Sequence, residues 1–290
     1  MGFDGSVLTS KDFEEVHSAC HFLSSSLGLK SLMKAFNYSS LMQNKVVAIT
    51  GASSGIGAAL AELVTSRGAS VALIARRGDL LGAVAARCGD RALPIVADVT
   101  ERAQVKRAVD AALDRFGRID VWVNNAGRGI TRPPSELTDE DVDAMMRVNV
   151  KSVLYGMQEV LPHFKSRGTG QVINISSMLG RVPFATFRSA YSASKHYVNA
   201  LTAMLRDELR QTHPGIQISL VSPGVVRTEF GVNAQYGGPD SRQLPGGQSA
   251  EEVAAVIAGV IEAPRPDVYT RSGSQAQVVE YYTGLGADAG

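Results

Sequence analysis

From Lys45 onward, short apolar runs rich in β-branched residues alternate with longer stretches in which apolar positions recur every three or four residues. Runs such as Val46-Val47-Ala48-Ile49 and Val71-Ala72-Leu73-Ile74 are apolar at every position, the pattern of strands covered on both faces. On this basis strands are expected at 46–50, 70–74, 93–97, 119–123, 171–176, 216–221 and 267–270. Helical patterns between them, including 58–67, 140–165 and 191–211, make successive βαβ units. The expected fold class is α/β: a Rossmann-type, doubly wound parallel sheet of about seven strands with helices on both faces. Right-handed crossovers then put the carboxyl ends of the strands on one side, where ligands bind at the point of strand-order reversal.

Residues 1–44 read differently, being rich in Ser and Leu. Phe13, Val16, Cys20, Leu23 and Leu27 follow one another in steps of three and four, which places them on one helical face. Thr9 and Asp12 have capping-box spacing and Gly28 is a stop signal. The expected organisation is an N-terminal, helical appendage over 1–44 and a single domain over 45–290. The appendage is either a loosely docked helix or one that covers a groove or subunit interface, and Met42 is a candidate start for the domain alone.

Composition narrows the function classes. With 29 Lys and Arg against 28 Asp and Glu, no overall field favours nucleic acid or an acidic membrane surface. Cys20 and Cys88 belong to no paired or His-rich motif, so neither a disulfide framework nor a metal site is expected. No apolar run reaches the roughly 18 residues of a membrane span, and the first residues lack a secretory pattern. The expected compartment is the reducing cytoplasm.

The loops after the strands hold the candidate chemistry. After the first strand comes Thr50-Gly51-Ala52-Ser53-Ser54-Gly55-Ile56-Gly57, followed by a helix. Glycines here allow a tight turn, close approach to a pyrophosphate and helix amides aimed at the anion. The spacing is G-x-x-x-G-x-G, so the match to the dinucleotide fingerprint is one of mechanism. The second strand ends in Ala75-Arg76-Arg77, where binding a free ribose 2′-hydroxyl would call for a carboxylate. A guanidinium pairs instead with a 2′-phosphate, so Arg76, supported by Arg77, points to NADP(H). Asp98-Val99 after the third strand are candidates for the adenine side.

Tyr191 and Lys195 stand four apart at the start of a helix and share a face. An ammonium beside a phenol favours phenolate and brings it toward useful acid-base strength. Ser176 and Ser177 close the strand Val172–Ile175, placing a hydroxyl donor where a carbonyl oxygen gaining charge needs one. Asn124-Asn125-Ala126-Gly127 follows the fourth strand, and Asn149 lies within a predicted helix, where a side-chain amide calls for a partner.

In order and spacing these motifs, together with Ser222-Pro223-Gly224-Val225-Val226-Arg227-Thr228, resemble a classical short-chain dehydrogenase/reductase from about Lys45 to Tyr269. The resemblance implies that Tyr191 moves the alcohol proton and Ser177 steadies the substrate oxygen. It implies that Lys195 holds the nicotinamide ribose and lowers the phenol, while Asn149 anchors a water leading to solvent. It also assigns Ser53, Ser54, Ile56, Asn125, Ala126, Gly127, Pro223, Gly224, Val226 and Thr228 to the cofactor cleft. A homotetramer or homodimer built on the helices around 140–165 and 190–211 is implied as well.

One departure is that Ser177 precedes Tyr191 by fourteen positions where the family has thirteen. The extra residue is placed in the Phe184–Arg188 loop, with Ser176 kept as a substitute. Glu229–Gln248, rich in Gly and Pro, is expected to close over the substrate. Val182, Phe184 and Phe187 favour an apolar wall, and Arg181 or Arg188 is either a surface residue or a contact for an anion. The expected function is hydride transfer between NADP(H) and a carbonyl or secondary alcohol. The alternatives are an NADP(H)-binding sensor or scaffold, and a dehydratase or epimerase that borrows the cofactor.

Overall fold

The computed structural model describes residues 41–286. The chain divides at Leu41 and Met42 into two units, and the elements below belong to the second. The helix expected around Phe13–Leu27 lies outside the described residues.

Seven strands form one parallel sheet: β1 (Val46–Thr50), β2 (Ser70–Ala75), β3 (Ala92–Val96), β4 (Val121–Asn124), β5 (Gly170–Ile175), β6 (Ile216–Ser222) and β7 (Asp267–Tyr269). Their order is β3-β2-β1-β4-β5-β6-β7, so the direction of winding reverses between β1 and β4. Although β1 is apolar from Val46 to Ile49, its side chains alternate between faces, as the pleat requires. Val47 and Ile49 enter one core and Ala48 the other. The first core is closed by α1 (Gly55–Ser66), α2 (Gly78–Cys88) and α7 (Ala250–Glu262), through Leu60, Val64, Leu81, Val84, Val253 and Ile257. The second is closed by α3 (Arg102–Phe116), α5 (Ser152–Arg167) and α6 (Ser189–Thr212), through Val105, Val109, Met157, Phe164 and Val198, with Trp122 of β4 fully buried among them.

Local signals set the element ends. Ser249 and Glu252 form a capping box at the start of α7, and left-handed Gly117 and Gly168 end α3 and α5. Other boundaries differ from expectation. The first helix begins at Gly55, three residues before the expected 58, because the glycine turn runs directly into it. β4 begins at Val121 and not at 119, since Asp120 turns its carboxylate onto the Val46 amide at 2.8 Å.

The continuous helix expected over 140–165 is broken. A short α4 (Asp139–Met145) passes into a π-helical segment, Met146–Lys151, before α5 begins. A further helix, α8 (Ser274–Thr283), follows β7 where no element was expected.

Candidate active site

The first loop at the reversal point is shaped by steric necessity. Gly51 and Gly55 have φ of 68° and 57°, in the left-handed region that favours glycine. A Cβ on Gly57 would stand 2.5 Å from the Gly51 carbonyl oxygen and 2.7 Å from Asn125 Nδ2, so no larger residue fits. The first and fourth loops are tied together by Thr50, whose hydroxyl accepts from the Asn125 and Ala126 amides at 2.9 and 3.0 Å. Asn125 Nδ2 donates back to the Thr50 carbonyl at 2.9 Å. Asn125 is thus a brace for the turn. Ser54, at the N-cap of α1, makes no side-chain bond to the first-turn amides, which leaves them for an acceptor in the cleft.

Of the two arginines after β2, Arg77 and not Arg76 touches the glycine turn. Arg77 lies over the turn, with Nη2 donating to Ser53 Oγ at 3.1 Å and Ser54 Oγ at 2.6 Å. Arg76 is 67% exposed along its side chain and sits 3.8 Å from the Asp98 carboxylate. The other oxygen of Asp98 accepts from the Thr100 amide and hydroxyl at 2.9 and 2.8 Å, so Asp98 also organises its own loop.

The candidate acid-base groups lie on the first two turns of α6. Tyr191 and Lys195 are 7% and 3% exposed. Lys195 Nζ donates to the carbonyl of Ile175, the last residue of β5, at 2.8 Å, and stands 5.8 Å from the Tyr191 ring centre. Burial pushes the phenol up to about 12, opposed by a hydrogen bond with Ser177 and by the positive charge of Arg188. Burial also pushes Lys195 down to about 8. Ser177 and Arg188 are thus the groups that oppose the burial of the phenol in this fold.

Geometry decides between the two serines. Ser176 donates to Asn199 on the buried side of α6. Ser177 accepts from the Leu179 amide at 3.1 Å and hydrogen-bonds Tyr191.

Asn149 is fully buried in the π segment. Its Oδ1 accepts from the Arg128 amide and its Nδ2 donates to the Arg128 carbonyl, both at 2.9 Å, with Ser194 Oγ at 3.1 Å. These bonds answer the need for a partner, and a widened helical turn is a common way to aim such a group inward. A Cβ on Gly127 would lie 3.1 Å from Asn149 Oδ1 and 3.7 Å from Lys195 Nζ. The Asn149 amide and the Lys195 ammonium therefore meet at the bare backbone of Gly127.

A cleft of about 1620 Å³ joins these parts. It is lined by Gly51, Ser53, Ser54, Gly55 and Ile56 of the turn, by Arg76, Arg77, Asp98 and Val99, and by Asn125, Ala126 and Gly127. Ser177, Tyr191, Lys195, Pro223, Gly224, Val226 and Thr228 complete the predicted set within it. Gly57 and Asn149 support the wall from behind.

The far end is covered by the 229–248 segment, whose Gln235 amide donates to the Gly129 carbonyl at 2.9 Å and whose Gln235 carbonyl accepts from Thr131 at 2.9 Å. Asp141, only 1% exposed, fastens that segment by accepting from Tyr236 Oη and Arg132 Nη1, each at 2.8 Å. Sequence reasoning passed over Asp141, whose one local signal is the Thr138–Asp141 capping box. Phe184, Phe187 and Phe230 line this end, with Phe230 and Tyr191 ring centres 5.4 Å apart. Of the two arginines left open between surface and site, Arg181 pairs with Asp267, whereas Arg188 is buried and lines the cleft. His163 accepts from the Ile119 amide at 3.1 Å, a structural role.

Among the described residues no helix is long and apolar enough to cross a membrane. Nor does any group of three or more His, Cys, Asp or Glu residues among them form a metal cluster.

Known proteins agree with this architecture. The family model described as short chain dehydrogenase matches residues 45–236. An uncharacterized oxidoreductase of Staphylococcus epidermidis is 34% identical over 196 residues, 68% of this chain and 84% of that protein. Among solved structures, a short-chain dehydrogenase/reductase from Burkholderia phymatum in complex with NAD superposes with a TM-score of 0.77 at 27% identity, covering 84% of this chain and 95% of that one. A 3-ketoacyl-(acyl-carrier-protein) reductase from Brucella melitensis complexed with NADH gives 0.71 at 28% identity, covering 79% and 96%. The match over 45–236 spans the glycine turn, the braced fourth loop and the first turns of α6; the chain belongs to the short-chain dehydrogenase/reductase family of oxidoreductases.

Proposed function

We propose that this protein transfers a hydride between NADP(H) and a carbonyl or secondary alcohol carbon, with Tyr191 as acid and base. The observation that carries this reading is the single cleft leading from the glycine turn to Tyr191, Ser177 and Lys195. Its residues fit a dinucleotide. The first-turn amides of α1 and the hydroxyls of Ser53 and Ser54 would hold the pyrophosphate, and Asp98 and Val99 would flank the adenine. Lys195 would bind the nicotinamide ribose, and Pro223, Gly224, Val226 and Thr228 would border the nicotinamide end. When bound, the cofactor supplies or accepts the hydride.

The protein's own groups manage the proton. A phenol held near 12 is fully protonated at neutral pH, ready to donate to a carbonyl oxygen as charge develops there. Ser177 anchors the same oxygen. In the oxidising direction, positive charge from Lys195 and from an oxidised nicotinamide would bring the phenol down to serve as base. Asn149 positions a proton path from Lys195 past Gly127 toward solvent.

NADP(H) is preferred over NAD(H) because Arg77 donates across Ser53 and Ser54 and Arg76 stands beside it. Two guanidinium groups there suit a 2′-phosphate. The B. phymatum and B. melitensis structures hold NAD and NADH, so the choice rests on these arginines. The same reading expects a cytoplasmic homodimer or homotetramer built on α5 and α6, where Tyr197 and Met204 are 51% and 64% exposed.

The test is paired titration with NADPH and NADH, followed by turnover on a carbonyl panel with wild type, Tyr191→Phe and Arg77→Gln. NADPH should bind more tightly, by at least about tenfold, and Arg77→Gln should erase that margin. Turnover should fall at least about 100-fold in Tyr191→Phe with cofactor binding retained. Equal affinities would remove the NADP assignment, and undiminished turnover in Tyr191→Phe would remove the tyrosine mechanism. A protein that binds NADPH but reduces nothing on the panel would be the sensor instead.

A further inference from the structure

Arg188 is the N-cap residue of α6, three positions before Tyr191, and lines the substrate end of the cleft at 8% exposure. The other partly buried arginines among the described residues all have a carboxylate: Arg67 has Glu262, Arg132 has Asp141, and Arg181 and Arg206 share Asp267. Arg188 has none among the described residues. Its one side-chain hydrogen bond among the described residues is from Nη1 to the Ile130 carbonyl, at a long 3.3 Å. A guanidinium does not shed its charge as a lysine can, and a buried charge without a counter-charge is costly.

The fold nevertheless holds this group firmly. A Cβ on Gly129 would come within 2.9 Å of Nη1, and one on Gly238 within 2.9 Å of Nη2. Two bare backbone positions, one after β4 and one in the covering segment, thus form a slot for the guanidinium. The amino end of α6 adds its own positive potential at the same place. Phe184, Phe187 and Phe230 make the lining beside it apolar, so the guanidinium is the charged group there for an anion to pair with.

We propose that the substrate is an apolar oxo acid whose carboxylate is bound by Arg188. This rests on the hydride-transfer reading of the same site. Arg188 caps the helix on which Tyr191 is the third residue, and its charge acts on the Tyr191 phenol, so a short spacer would separate the carboxylate from the carbonyl presented to Tyr191. In the reaction the carbon–oxygen double bond becomes a carbon–oxygen single bond: carbon takes the hydride, oxygen takes the Tyr191 proton, and NADPH becomes NADP⁺. The carboxylate is unchanged. A planar, two-oxygen anion suits the guanidinium fork better than a single-point acceptor does.

The experiment compares kcat/KM with NADPH for benzoylformate, 3-benzoylpropionate and 4-benzoylbutyrate against their methyl esters, in wild type, Arg188→Gln and Arg188→Lys. At least one acid should exceed its ester by about tenfold or more in wild type. That ratio should fall to near one in Arg188→Gln and to an intermediate value in Arg188→Lys, which keeps the charge but loses the fork. Ester turnover equal to or above acid turnover throughout in wild type overturns the proposal, as does an unchanged ratio in Arg188→Gln. Should Arg188→Gln not fold, by circular dichroism, the wild type and Arg188→Lys ratios decide.

If neither acids nor esters turn over, calorimetric titration of the NADPH-loaded protein with benzoate and benzamide separates the two readings. Tighter benzoate binding, lost in Arg188→Gln, upholds the anion site while hydride transfer fails. Equal binding overturns the anion site.

Discussion

Replacing Lys195 with Met should make this protein more stable at neutral pH while removing a group that the proposed function requires. Lys195 is 3% exposed, and burial lowers it from 10.5 to about 8. A shift of that size corresponds to about 3 kcal/mol, at about 1.4 kcal/mol per unit. Met fills a similar volume without charge, but loses the 2.8 Å bond to the Ile175 carbonyl, which costs about 1 kcal/mol. A net gain of about 2 kcal/mol remains, or about 4–8 °C in Tm for a domain of this size.

The pH dependence identifies the cause. Between about 8 and 10.5 the unfolded chain keeps the Lys195 proton and the folded chain does not, so wild-type stability rises with pH across that window. Below about 8 both states are protonated and the penalty is complete; above 10.5 it has vanished. Raising Tyr191 to about 12 lowers stability above pH 10, but in both proteins alike, so it cancels in the difference. Urea unfolding of wild type and Lys195→Met from pH 6 to 11 measures the gap directly. A gap that does not close as pH rises, or a destabilised Lys195→Met at pH 6, would refute the claim that an unfavourably buried ammonium is held for function.

Two further outcomes follow from the geometry. Gly57→Ala should cost about 1–3 kcal/mol in urea unfolding and sharply weaken NADPH binding, because the new Cβ meets the Gly51 carbonyl at 2.5 Å; wild-type affinity and stability together would show that the turn can yield. Asp141→Ala should release the covering segment, since Tyr236 and Arg132 both lose their 2.8 Å partner. Limited proteolysis should then cut within 231–246 several times faster, and the KM for a carbonyl substrate should rise; an unchanged cleavage rate would mean that other contacts hold the segment.

Much of the framework is written in local pattern. Every position of β1 is buried because helices cover both faces of the sheet, and glycine stands at 51, 55 and 57 because a positive φ at the first two and the Gly51 carbonyl against the third exclude a side chain. Tyr191 and Lys195 are legible as a pair because helical geometry alone puts residues four apart on one face. Sequence could not settle what depends on distant partners. Asp141 and Tyr236 are 95 positions apart, and Arg77 reaches back 23 and 24 residues to Ser54 and Ser53, so neither pairing has a periodicity to announce it. The π-helical turn at Asn149 arises from side-chain bonds to Arg128 and Ser194, which no helical pattern encodes. Nor did the sequence separate Arg181 from Arg188, two arginines in one loop. Packing gives the first a carboxylate and encloses the second without one, because charge pairing follows from which surfaces the fold brings together. The chain's own pattern determined the sheet, the turn and the helix that carries Tyr191 and Lys195; tertiary structure decided which charges inside the cleft lack a carboxylate among the described residues.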